Sequence, residues 1–301
     1  MQLSLDIFGF RAMWSPLFFI FCVILIVLYL LLTDSLRHYF KNSEPVSLKQ
    51  KLVFILAIVL LYVSKGSPLD LLGHITFTGH MASMAILFLI VAPLLIIGVP
   101  EWLWKAVMEK PVIKPFVKFF TKPILAMILF NLFFSLYHVP FIFDTLKSNY
   151  IYHEAATTFI FVFAFFMYWP LIGKSPNWHP IGGLKKIAYI LGNSVLITPA
   201  CGLIIFAGAP LFETYSNPEA WVKTLSLCVP SDTLAGLSLS GPQMFSGMPL
   251  LEDQQLGGII MKVIQELVYG TFLAHVFFEW AKKEREKDDI DVQNLSPEPN
   301  K

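Results

Sequence analysis

The sequence has 301 residues, 56% of them apolar and 14% charged, against roughly 25% charged in an ordinary soluble chain. A formal net charge of +1 names no acidic or basic partner in bulk, and so little charge excludes a water-soluble enzyme, a disordered regulator and a nucleic-acid binder. What remains is a polytopic membrane protein.

Apolar runs close to the roughly 20 residues a membrane helix needs occur at about 15–33, 50–66, 80–98, 121–138, 153–172, 185–207 and 257–280. They are continuous rather than alternating, which predicts an all-α bundle of seven transmembrane helices in a lipid bilayer. The first run is long enough to remain as an anchor. The second is the weakest, clean only from Leu52 to Val63, with Lys65 snorkelling at its end. The seventh is polar for a span and carries Lys262, Gln265, Glu266 and His275. The connection 208–256 is long enough to be functional or partly structured. Its stretch Thr224–Leu239 is expected at the membrane interface, and its Gly/Pro-rich part carries Met244 and Met248. The mixed-charge tail, 282–301, is expected to be disordered.

Lys and Arg fall unevenly between the two sides. Seventeen lie after the first, third and fifth spans and in the tail, for example Arg37, Lys110, Lys186 and Lys287. Only Arg11, Lys65, Lys147 and Lys223 lie on the other side, and Lys262, inside a span, completes the 22. The positive-inside rule then predicts an outside N-terminus and a cytoplasmic C-terminus.

This topology puts four of the seven histidines at the outer ends of three consecutive spans. His74 precedes the third span, His80 opens it, His138 closes the fourth and His153 opens the fifth. Imidazole binds copper, zinc and iron. His80 and Met84, four residues apart, share a helix face with Met81 beside them. Imidazole with thioether suits Cu(I) better than Zn(II). The plainer reading is that partly wet interfacial histidines make hydrogen bonds and that the methionines pack. Of the cysteines, Cys22 and Cys201 read as core residues and Cys228 as the only thiol exposed outside; none has metal-knuckle spacing. Lys262 and Glu266, an i, i+4 pair, read as an ion path or, preferably, as a structural pair that fixes helix rotation. There is no P-loop, GxSxG or HExxH, so catalysis by the chain alone is not expected.

Several motifs, in order, match a known family. They are Phe10-Arg11 with Trp14-Ser15-Pro16, Gly79-His80-Met81 with Ala92-Pro93, Tyr137-His138-Val139-Pro140 with Phe143-Asp144, Met167-Tyr168-Trp169-Pro170, and Asp253-Gln254-Gln255-Leu256-Gly257-Gly258 through Met261. Together, from Phe10 to about Trp280, they resemble the CtaG family of caa-type cytochrome c oxidase assembly factors. The resemblance implies seven helices in a bacterial cell membrane, a role in copper handling, oxidase subunits as partners and a soluble copper carrier as a further one. Where that family commonly has a second histidine four residues after the first, this chain has Met84 after His80 and Thr157 after His153. Asp253 is expected to cap the helix it precedes, and either to do that alone or also to orient a histidine of the outer cluster. Two other functions fit the residues: a copper or small-solute permease, and a haem-binding redox protein with His80 and His153 as axial ligands.

Overall fold

The computed structural model describes residues 3–174, 178–230, 233–234, 237 and 239–295, with side chains as far as Lys287. Ten helices carry the fold. They are α1 (Pro16–Thr33), α2 (Leu48–Gly66), α3 (Pro68–Ile75), α4 (Phe77–Gly98), α5 (Pro123–Tyr137), α6 (Pro140–Lys147), α7 (Tyr150–Ile172), α8 (Gly183–Ile205), α9 (Pro218–Leu225) and α10 (Leu250–Leu295). Among the described residues there is no strand. Helices α1, α3, α5, α6 and α9 open on proline, whose missing N–H costs nothing at that position. Others open on a capping side chain. Ser47 Oγ accepts from the N–H of Gln50 at 3.2 Å, and Asn149 Oδ1 from those of Ile151 and Tyr152 at 2.9 and 3.2 Å.

Six segments are long and apolar enough to cross a membrane: Leu5–Thr33, Leu48–Ile75, Phe77–Gly98, Tyr150–Ile172, Gly183–Ile205 and Leu250–Lys287. The chain is therefore an all-helical, multi-pass membrane protein. The expected span 121–138 is α5, 15 residues long and so about 22 Å. It becomes a seventh span only together with the short helix Ile113–Phe120, which it meets at 81°.

Two boundaries differ from expectation. The last helix begins at Leu250 rather than 257, and it runs on to Leu295, past Lys282, where a disordered tail is expected. Pairs one turn apart favour the extension: Lys283 Nζ lies 2.7 Å from Glu279 and Lys282 Nζ 3.8 Å from Glu286. Residues 296–301 of that tail lie outside the described residues, as do 231–232, 235–236 and 238 of Thr224–Leu239.

Helix α4 is the centre of the bundle. In its apolar stretch 67% of residues are buried, against 17% in the first span. It packs on α2, α7 and α10, while α8 joins α10 to α5. The first span leans mainly on α2, through the separate cluster Cys22, Tyr29, Phe54 and Ile58, and the Tyr29 hydroxyl donates to the Gly98 carbonyl at the end of α4 at 2.8 Å. Inside α4 the stretch Ile86–Val91 is π-helical, and Pro93 follows it. Pro93 has no N–H for the Leu89 carbonyl four residues back. The Tyr168 hydroxyl donates to that carbonyl at 3.3 Å instead, which ties α7 to α4.

Glycines set the closest approaches. A Cβ on Gly257 would lie 2.8 Å from the Phe77 ring, and one on Gly258 2.8 Å from Ile205. The first contact brings α10 onto α4, and the second brings it onto α8.

Candidate functional site

The histidines collect where α3 turns into α4. The turn is tight: Thr76 Oγ1 accepts from the N–H of Gly79 at 3.1 Å, and a Cβ on Gly73 would lie 3.2 Å from the His80 Cα. This places His74, at the end of α3, beside His80, in the first turns of α4. The Asn149 cap starts α7 so that His153 lies in its first turn, facing both. The rings of His74 and His153 are 5.7 Å apart between centroids, those of His80 and His153 6.1 Å, and those of His80 and His138 6.1 Å.

All four residues are buried, between 1% and 4% exposed. They are not the partly wet interfacial histidines of the plainer reading. The long connection before α10 covers them. Phe212 stacks on Phe77 at 4.6 Å, the Tyr215 hydroxyl donates to the Gly73 carbonyl at 2.7 Å, and Trp221 Nε1 donates to the Ile75 carbonyl at 2.9 Å. Asp144 anchors this cover by accepting from the backbone N–H groups of Glu213 and Thr214 at 3.0 and 2.9 Å.

His74, His80, His153 and Met84 line one cavity with Lys65, Asp70, Gly73, Ser83 and Lys147. Its free volume is about 10 Å³, roughly what one water molecule needs. The other expected residues lie around it. His138 donates from Nδ1 to the Phe134 carbonyl (2.8 Å) and stands one ring behind His80. Met81 is buried against Gly257, away from the cavity. Met244 lies in the covering loop, its sulfur accepting from the N–H of Ser240 at 3.2 Å. Thr157 is buried and donates to the Glu154 carbonyl at 3.2 Å.

Lys147 is the residue that sequence reasoning misplaced. It counts there as an outer-loop lysine, yet it is 1% exposed. Helix α6 folds back and drives its ammonium into the cavity, 3.3 Å from the Gly73 carbonyl and 3.4 Å from His153 Nε2. Burial pushes the amine down to about 8. The other His153 nitrogen, Nδ1, is 2.9 Å from the Tyr137 hydroxyl. On the far wall Lys65 pairs with Glu154 at 2.7 Å. Cys228 is half-buried rather than exposed, and burial pushes its thiol up to about 12. A cysteine at position 147 should therefore resist membrane-impermeant thiol reagents in the folded protein.

Asp253 also acts differently from expectation. It lies inside the first turn of α10, and its carboxylate caps α4 rather than its own helix. It accepts from the N–H of Phe77 at 2.7 Å and from that of Thr78 at 3.3 Å. Among the described residues it has no hydrogen bond to a histidine. Asp253→Ala should lower the stability of the purified protein by about 1–2 kcal/mol, the usual scale for a lost cap. Asp253→Asn, which keeps one accepting oxygen, should lose less. Equal melting temperatures for all three would mean that the cap does not hold α4.

Three buried nitrogens of this cluster have no hydrogen-bond partner: His74 Nδ1, His80 Nε2 and His138 Nε2. Unsatisfied buried imidazoles around a cavity fit a guest that accepts lone pairs. The spacing fits too, since a metal–nitrogen bond of about 2 Å puts two imidazole centroids sharing an ion roughly 5–6 Å apart. As the side chains stand, no three His, Cys, Asp or Glu among the described residues are placed to hold one ion. His153, held by Tyr137 and Lys147, is the part of the set that would have to turn.

Fold and site together define the class: a multi-pass helical membrane protein with an imidazole–thioether cluster sealed at one end of its bundle. Within that class, residues 27–283 match the family described as Cytochrome c oxidase caa3 assembly factor (Caa3_CtaG), and the chain belongs to that family. No curated protein and no solved structure matches it.

Proposed function

We propose that the protein serves the maturation of a caa3-type cytochrome c oxidase by holding copper, as cargo, at the outer face of a bacterial cell membrane. The observation that carries this reading is the cavity where His74, His80, His153 and Met84 meet and where two imidazole nitrogens, His74 Nδ1 and His80 Nε2, lack partners. Imidazole and thioether are soft, neutral donors and favour Cu(I). The family name supports the assembly role, and the asymmetry of lysine and arginine supports an outward-facing cluster. Oxidase subunits and a soluble copper carrier are the partners this role requires. The haem alternative is disfavoured, because a cavity sized for one water has no room for a macrocycle.

Each group has its own part in this reading. His80 and Met84, one turn apart on α4, present one nitrogen and one sulfur to the same space. His74 closes the set from α3, and Tyr137 orients His153. Lys147 holds His153 Nε2 while no ion is present. The aromatic cover of Phe212, Tyr215 and Trp221 excludes water, which protects Cu(I) from oxidation.

The test is metal analysis of protein purified anaerobically with Cu(I) supplied. About one copper per chain is expected, falling to background in a His80→Ala/His153→Ala variant that still melts cooperatively. Equal copper in the variant, or none in the native protein, would overturn the proposal.

A further inference from the structure

A second polar cluster lies far from the histidines, at the middle of the bundle. Ser194 is the central residue of α8, which has 23 residues, so it lies roughly 17 Å from either end. Around it Lys262, Gln265 and Glu266 of α10 and Thr198 of α8 form a connected network. Lys262 Nζ donates to Thr198 Oγ1 at 2.9 Å and to Gln265 Oε1 at 2.8 Å, and it is ion-paired with Glu266 Oε1 at 2.6 Å. Gln265 Nε2 donates to Ser194 Oγ at 3.1 Å, and Ser194 Oγ donates to Glu266 Oε1 at 3.1 Å. Thr198 Oγ1 donates to the Ser194 carbonyl at 2.7 Å.

This network is not sealed inside the bundle. The Glu266 side chain is 55% exposed and that of Lys262 25%. The surrounding face is apolar, with Leu191, Val195, Val263 and Leu267 all exposed. A carboxylate open to hydrocarbon at mid-depth is among the least tolerated arrangements in a membrane. Such groups normally face a protein partner or a water-filled space.

What the surface lacks defines what would cover it. Its donors point into the network: the Ser194 and Thr198 hydroxyls both donate within it, Lys262 gives two hydrogen bonds and an ion pair there, and Gln265 is fully buried. The Ser194 hydrogen bond and the Lys262 ion pair both meet Glu266 at Oε1, which leaves Oε2 as its outward accepting capacity. The face therefore offers an acceptor and wants a donor. A second copy docked by the same face would bring carboxylate to carboxylate, which repels.

We infer that the α8–α10 face around Glu266 docks a transmembrane helix of another protein, one that carries a hydrogen-bond donor at mid-membrane. The network turns what would be a lone charge into a neutral, pre-arranged acceptor, and the flanking Leu and Val side chains supply the packing.

The test uses the full-length protein in phosphatidylcholine–phosphatidylglycerol vesicles with two designed polyleucine transmembrane peptides. One carries a central glutamine and the other a central methionine of similar shape. Association is read by energy transfer between labelled protein and labelled peptide. The glutamine peptide should associate about tenfold more tightly than the methionine peptide, the scale of one interhelical hydrogen bond in model peptides. That preference should disappear in Lys262→Leu/Glu266→Leu, which removes both charges together. It should fall as well in Val263→Trp, which leaves the network intact and blocks the face. Equal association of the two peptides, or a preference unchanged in both variants, would overturn the inference. So would disulfide capture of one Val263→Cys protein by another at high yield, which would identify the occupant as a second copy.

Discussion

Alanine at Gly79 should lower the melting temperature of the detergent-purified protein by several degrees, although it adds a single methyl group. The new Cβ would lie 2.6 Å from the Leu72 carbonyl carbon and 2.7 Å from its oxygen. Both are backbone atoms, so no flexible side chain can give way. Overpacking of this kind typically costs 1–3 kcal/mol, and the upper end applies where backbone meets backbone. In a chain of this size that corresponds to roughly 5–10 °C. The damage should also reach copper retention, because the α3–α4 corner is what sets His74 beside His80. Gly270→Ala is the matched control. Nothing lies within 4 Å of its Cβ position, and alanine is the better helix former by about 1 kcal/mol. Its melting temperature should stay level or rise. Similar losses in the two variants would show that the corner is not close-packed.

Lys147→Met should do the opposite of what removing a buried hydrogen-bonded group usually does. The methionine fills the same volume, and the amine it replaces sits in a site whose burial already pushes it down to about 8. Its contacts at 3.3 and 3.4 Å are long, so little hydrogen-bond energy is lost. The apo protein should keep its melting temperature or gain. The larger effect concerns the metal. An ammonium a few ångströms from a bound Cu(I) opposes it by about 3 kcal/mol at an effective dielectric of 20. The variant also frees His153 Nε2. Copper competition with a Cu(I) chelator should show affinity raised by at least about tenfold. Weaker binding would mean that the neutral amine is itself a ligand, and an unchanged value would place the ion elsewhere.

The spans were legible because hydrocarbon thickness imposes itself on sequence: continuous apolar runs of about 20 residues have few alternatives. The depth of the four histidines followed from the same map. Their convergence needed one thing more, the turn from α3 into α4, and its traces in the residues are Gly73, Gly79 and the capping Thr76 between them. Lys147 was hidden for a physical reason. A lysine in a polar connection reads as solvated, and only the folding back of α6 buries it. Asp253 shows a related limit. The residue type announces a cap, but which helix it caps depends on tertiary contact, here the approach of α10 to α4 allowed by Gly257. The charged segment after Lys282 carried both signals, disorder by composition and helix by its i, i+4 pairs, and the pairs prevailed through Leu295.

The π-helical stretch Ile86–Val91 has a consequence for how the histidines are aimed. A turn closed by i→i+5 bonds holds one residue more than an α turn, so the two halves of α4 are out of phase by about 100°. The half that carries His80 and Met84 thus has its own azimuth, and the half from Ala92 to Gly98 fits α2 and α7 independently. Deleting one residue from Ile86–Val91 would restore a continuous α-helix and swing one half against the other by more than a quarter turn. If the lower half kept its packing, His80 and Met84 would leave the side where His153 waits, with no polar residue altered. The address of the metal-ligand candidates is in that sense written in six hydrocarbon side chains below them.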